Sequence, residues 1–136
     1  MFKKTVTYTD YDGLERTEDF YFDLSKSELI KMEASEAGGY TSMLNKIIAA
    51  KDGNVIIRVF SDLLYKAYGE KSPDGKRFMK SDAISDAFVH SAAYDVIFME
   101  LVTDADKAAE FANKIMPKDL VERAEKENAI PMPTNQ

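Results

Sequence analysis

The sequence holds one histidine, His90, and no cysteine, so little of the usual material for catalysis or metal binding is present. His90 lies on or near the end of an apolar helix, where it could act as a base or a ligand. A partly buried or surface imidazole is the plainer reading. One histidine cannot make the histidine–carboxylate cluster that a zinc site needs. Asp10, Asp12 and Glu15 surround a turn and only loosely resemble a calcium loop. Their ligand spacing is wrong and the glutamate at the twelfth position is missing, so they read as a solvated turn. The stretch 69–77, GEKSPDGKR, has the glycine, lysine and serine of a phosphate cradle. It lacks the Gly-x-x-x-x-Gly-Lys-Ser/Thr order, and no strand is predicted before it, so it reads as an exposed loop. Phe20, Tyr21 and Phe22 could stack bases, but Glu18, Asp19 and Asp23 beside them would repel a phosphate backbone. No nucleophile and base stand at a readable spacing. The residues therefore predict a protein that is not an enzyme, with no catalytic, cofactor-binding or metal residues and no cofactor.

The elements that position these residues start with a hairpin. In TVTYTDYDGLERTEDFYFDL, Val6 and Tyr8 alternate with polar residues, and so do Phe20, Phe22 and Leu24. Alternate side chains of a strand share a face. Both apolar sets fall on one face of a hairpin only if paired residue numbers sum to an even value. A three-residue loop of Tyr11, Asp12 and Gly13 meets that condition, as a type I turn followed by glycine in the left-handed region. The register then sets Tyr8 opposite Arg16 and Val6 opposite Glu18. The other face, with Thr5, Thr7, Thr9, Thr17, Asp19, Tyr21 and Asp23, meets water. Two strands alone are marginal, so a helix must cover the apolar face. Ser25 and Glu28 form a capping box, and Leu24 and Leu29 a hydrophobic staple, so a helix begins at Lys26.

That helix, with Leu29, Ile30 and Met32, is expected to run to about Ala34. Tyr40, Met43, Leu44, Ile47 and Ile48 mark a second helix. Ile56, Val59, Phe60, Leu63, Leu64 and Ala67 mark a third, capped by Asp52 or Asn54 and closed by Gly69. The β-branched run 55–59 could also be a strand, but the 3.6-residue period through Ala67 favours a helix. The stretch 69–80 is the longest irregular segment, with a type I turn at Ser72-Pro73-Asp74-Gly75 and with Phe78 and Met79 pinning its far end. Ser81 or Asp82 caps the next helix, and Ser91 caps another carrying Tyr94, Ile97, Phe98 and Leu101. A Thr103–Asp106 capping box opens a helix through Met116. Leu120 begins a final charged helix ending at Asn128. The expected fold is α+β, an N-terminal β-hairpin packed on a bundle of about six short α-helices. Residues 1–128 form one domain, with the hairpin at 2–24 and helices from 26, and 129–136 form a flexible C-terminal tail.

At 136 residues and 45% apolar, the chain can bury a real core. A net charge of −6 argues against nonspecific nucleic-acid binding. The absence of cysteine suits a reducing compartment. No signal peptide and no run of membrane-span length is read, so neither nucleic acid nor membrane is an expected partner.

The phrases TVTYTDYDGLERTEDFYFDLSKSEL, KAYGEKSPDGKRFMKS and FMELVTDADKAAEFANKIMP resemble the tail assembly chaperones of long-tailed (siphovirus-type) phages and prophages of Gram-positive bacteria. The likeness spans about Thr5 to Pro117. It implies a non-enzymatic protein of the host bacterial cytoplasm, absent from the mature virion. Such a protein coats the tape measure protein, keeps it soluble, and helps recruit the major tail (tube) protein around it. The resemblance also implies a frameshift-extended form in many members, and 129–136 would suit such a junction. A homo-oligomer is compatible with it. The competing reading is a small structural virion protein, a head–tail connector or tail accessory component. Apolar helical faces on the partner call for exposed or adaptable apolar side chains here. Tyr21, Met79, Met116, Leu120 and Val121 are the expected partner contacts.

Overall fold

A computed structural model describes residues 1–35 and 53–117. The second predicted helix, the charged helix 120–128 and the tail 129–136 lie outside these residues, as do the predicted contacts Leu120 and Val121. Strand β1 (Phe2–Thr9) pairs antiparallel with β2 (Glu15–Phe22), placing Tyr8 opposite Arg16 and Val6 opposite Glu18 as predicted. The Gly13 N–H donates to the Asp10 carbonyl at 3.0 Å, and Gly13 adopts φ 83°, the left-handed value that the turn requires. One Asp10 carboxylate oxygen accepts the Asp12 and Leu14 N–H groups, each at 2.9 Å. The other holds Arg16. The Arg16 guanidinium and the Leu14 N–H keep the Asp10 carboxyl below its ordinary range.

Helix α1 (Lys26–Ser35) starts on the predicted box: the Ser25 N–H donates to Glu28 Oε1 at 2.9 Å, and the Glu28 N–H donates to Ser25 Oγ at 3.2 Å. Leu24 and Leu29 are both buried beside it, while Ile30 stays exposed. Helix α2 (Gly53–Ala67) confirms the helical reading of the β-branched run and begins ahead of Asn54, which lies inside it.

The segment after α2 differs from the expectation. Gly69 does not close the helix and 69–80 is not irregular. Strands β3 (Tyr68–Lys71) and β4 (Phe78–Met79) form a second hairpin, and β3 pairs with β2 through Tyr21–Gly69 and Phe22–Tyr68. The described sheet is four-stranded, in the order β1-β2-β3-β4. Glycine is required at position 69 by space, since a Cβ there would sit 2.7 Å from a Phe78 ring carbon and 2.9 Å from the Met79 carbonyl oxygen. The predicted type I turn forms, with the Gly75 N–H donating to the Ser72 carbonyl at 2.9 Å.

Helix α3 (Asp82–Val89) is capped by Ser81, and α4 (Ala92–Thr103) by Ser91, with His90 as the break between them. Helix α5 (Ala105–Ile115) starts one residue later than the predicted box. Its cap is Asp104, whose carboxylate accepts the Asp106 and Lys107 N–H groups. Thr103 instead ends α4, its hydroxyl donating to the Met99 carbonyl at 2.5 Å.

The inner sheet face carries Val6, Phe20 and Phe22, all buried, with Phe2, Tyr8 and Tyr68 half-buried around them. Aromatic rings join it to the helices. Phe22 lies 5.3 Å from Phe111 of α5 and 5.6 Å from Phe88 of α3, both edge-on. Phe88 stacks on Tyr68 at 4.1 Å. Helix α2 lies inside this arrangement, with Val59, Phe60, Leu63, Leu64 and Ala67 all buried. Fully burying a large apolar side chain is worth roughly 1.5–3 kcal/mol, so this one cluster supplies most of the driving force for folding.

Candidate partner-binding surface

The residues singled out for chemistry fall apart in space. His90 is exposed at the C-cap of α3, where its backbone N–H donates to the Asp86 carbonyl at 3.0 Å. Asp10, Asp12 and Glu15 shape or border the first turn and do not converge on a vacant point. Among the described residues no group of three or more histidine or carboxylate side chains is placed to hold a metal ion. The loop at 69–77 is a hairpin connection: Ser72 Oγ donates to Asp74 Oδ1 at 2.6 Å, and the Lys76 N–H donates to the same oxygen at 3.0 Å. An aspartate carboxylate therefore occupies the turn's donors, and a phosphate would have to displace it.

The three predicted contact residues that are described, Tyr21, Met79 and Met116, do not form one patch. Tyr21 is half-buried on the outer sheet face, with Lys71 Nζ 4.9 Å from its ring centroid. Met79 is 37% exposed on β4 opposite Glu70, and strand parity places it on the inner face, away from Tyr21. Met116 is only 6% exposed. The chain turns at its C-cap, and the Ile115 carbonyl accepts the Leu24 N–H at 2.9 Å, which draws the end of α5 into the core. The Met116 thioether fills space there and is not presented.

A feature not anticipated from the sequence is a groove of about 370 Å³ between α1, α2 and the start of α3. Leu24, Met32 and Ser85 floor it, and Lys31, Lys66 and Asp82 rim it. Lys80 closes one end, donating to the Asp23 carbonyl at 2.6 Å and to Glu28 Oε2 at 2.7 Å. Burial pushes the Glu28 carboxyl up, but the Lys80 ammonium and the Ser25 N–H outweigh it and hold it below its ordinary value. On another wall the Tyr65 hydroxyl donates to Asp86 at 2.9 Å, and Asp82 lies beyond at 3.4 Å. The hydrogen bond to Asp86 leads in pushing the phenol up to about 12. Glu28 and Tyr65 are thus both held in their resting charge states. Such a wall offers an apolar floor and fixed charges, which suits recognition and gives no poised acid or base. No local sequence signal could have located the groove, because three distant segments build it.

Comparison with known proteins supplies the class. Residues 1–136, the whole chain, match the phage tail assembly chaperone family, and the protein belongs to that family. Proteins of this class act in the host cell during assembly and are non-structural, with phage tail proteins as their partners. No curated protein and no solved structure matches the chain. Among the described residues no helix is long and apolar enough to cross a membrane.

Proposed function

We propose that this protein binds the tape measure protein in the host cytoplasm, keeps its long apolar helical faces from aggregating, and helps bring tail tube subunits to it. The carrying observation is the family match over all 136 residues. The groove between α1, α2 and α3 supports the reading, since an apolar floor under fixed charges can receive the apolar side of a helix. On this view the protein is a binder without catalysis. Tyr21 and Met79 are further contacts on the outer face and at the β4 edge, and Leu120 and Val121, which lie outside the described residues, are contacts on the same proposal. A longer, frameshifted form would carry the same body with an added partner-reading segment.

Co-expression tests the central claim. A tape measure fragment made with this chain should stay in the soluble fraction and co-purify with it, and the same fragment made alone should pellet. Equal solubility in both cases removes the basis for the proposal. Mass spectrometry of purified particles addresses the structural alternative. A connector or accessory protein would be present at fixed copy number, whereas the chaperone is expected to be missing.

A further inference from the structure

The two edges of the sheet are unlike. β4 is two residues long, and its shortness blunts that edge. β1 ends the other side with eight regular residues, without proline or bulge. The Asp10 N–H bonds the Leu14 carbonyl at the turn, so even-numbered residues of β1 carry the ladder to β2. Lys3, Thr5, Thr7 and Thr9 therefore direct their backbone N–H and C=O groups outward, with no partner among the described residues. A charge on the inner face commonly guards such an edge, and Lys4 stands at that position. Its ammonium is paired with Glu100 of α4, which Lys107 also approaches at 3.8 Å, so its repulsion of an incoming strand is reduced.

We propose that β1 pairs antiparallel with β1 of a second copy, about a two-fold axis at Val6, and that the two α4 helices meet along the same seam. Outward-directed residues pair with outward-directed residues, which puts Thr5 opposite Thr7 and Lys3 opposite Thr9 of the other copy. Threonine pairs are favourable across strands, and in this register no lysine faces a lysine. On the inner face Val6 meets Val6, and Lys4 lies opposite Tyr8, whose hydroxyl holds the Glu18 carboxylate. The basic end of each strand thus lies against the acidic end of its twin. Helix α4 supplies apolar area at the same place. Val96 is 41% exposed and Met99 is 54% exposed. Val96 lies one turn before Glu100, which reaches β1, so this flank of α4 borders the β1 edge. A two-fold copy covers backbone edge and apolar flank together with identical surface, as an isologous contact demands. The inference stands independently of which tail protein the monomer binds.

Sedimentation velocity on the full chain tests it, across the micromolar range. The wild type is expected to dimerise. Thr7→Pro deletes an outward N–H and the exposed hydroxyl contact with Thr17 but no ladder bond to β2, at a position where an edge strand tolerates proline, and should give a folded monomer by circular dichroism. T5K/T7K keeps every N–H and places like charges across both Thr5–Thr7 pairs, weakening the dimer about tenfold at low salt and less at high salt. T5K/T7E places opposite charges across the same pairs, keeps the position-5 lysine beside Asp19 of its own sheet, and should restore it. A monomeric wild type overturns the proposal, and so does a dimer indifferent to both T7P and T5K/T7K. A monomer that instead takes up an extended segment of a tail protein along β1 also overturns the two-fold.

Discussion

Two glycines in this chain are needed for opposite reasons, and substitution can separate them. At Gly69 the backbone is ordinary but the space is filled. An alanine Cβ would come within 2.7 Å of Phe78 and 2.9 Å of the Met79 carbonyl oxygen. The ring can swing aside, but the carbonyl moves only if β4 moves. Overpacking of this kind costs about 1–3 kcal/mol, offset by about 0.4–1 kcal/mol from the stiffer unfolded chain. The net expectation for Gly69→Ala is a loss of about 1–2 kcal/mol. With an unfolding entropy of roughly 2.1 cal/mol/K per residue, a chain of this length should lose roughly 3–7 °C in Tm. At Gly13 the space is open, with nothing within 4 Å of where a Cβ would stand, but φ is +83°. Gly13→Ala should cost about 1 kcal/mol from the left-handed backbone alone, and Gly13→Asn less, because asparagine tolerates that region. The orders of stability therefore cross: Gly, Asn, Ala at position 13 and Gly, Ala, Asn at position 69. Thermal melts of the four variants read both orders. The same order at both sites, or a Gly69→Ala protein as stable as the wild type, would refute the reasoning.

Other expectations follow from the core, a cap and two titrations. Phe22→Ala removes a fully buried ring touching Tyr68, Phe88 and Phe111, and should cost about 3–5 kcal/mol in urea unfolding. Asp104→Ala should cost about 1 kcal/mol by the same measurement and Thr103→Ala distinctly less, since Asp104 alone caps α5. The folded-state pKa of Glu28 lies below its unfolded value near 4.5, so its contribution is full above that pH and fades as pH falls through the folded value. Lys80→Met should destabilise at neutral pH by about 1–3 kcal/mol, by leaving the Asp23 carbonyl unpaired, and should flatten the loss of stability below pH 4.5. In ultraviolet titration Tyr65 should ionise at about 12, and Asp86→Asn should move that step down toward the ordinary phenol value.

The first hairpin is legible in the sequence because two independent constraints meet there. Parity allows only an odd loop, and Gly13 fixes which odd loop it is. The starts of α1, α3 and α4 are legible because a serine side chain and the N–H it accepts lie within three residues. β3 is not, because Tyr-Gly-Glu-Lys has little strand preference of its own and becomes a strand by pairing with Phe22 and Tyr21, far away in sequence. Gly69 reads as a helix stop since glycine signals a terminus locally, whereas a close approach from Phe78 is invisible in sequence. The cap of α5 falls one residue from its expected place because threonine and aspartate are both good caps and stand side by side at 103 and 104. Met116 reads as available because an apolar residue at a helix end gives no clue that the neighbouring Ile115 carbonyl hydrogen-bonds Leu24. The groove is hidden for the same reason, since it exists only once three helices have packed.

The order in which Phe22 meets its neighbours has a consequence for synthesis on the ribosome. The first hairpin closes through near neighbours and can form soon after it emerges. Its inner face meets Tyr68 first and is completed only by Phe88 and then Phe111, which leave the exit tunnel when most of the chain has been made. Through that interval a newborn molecule of a tail assembly chaperone bears a partly uncovered aromatic strip of its own, so the protein that shields others passes through a stage in which its own apolar face is open.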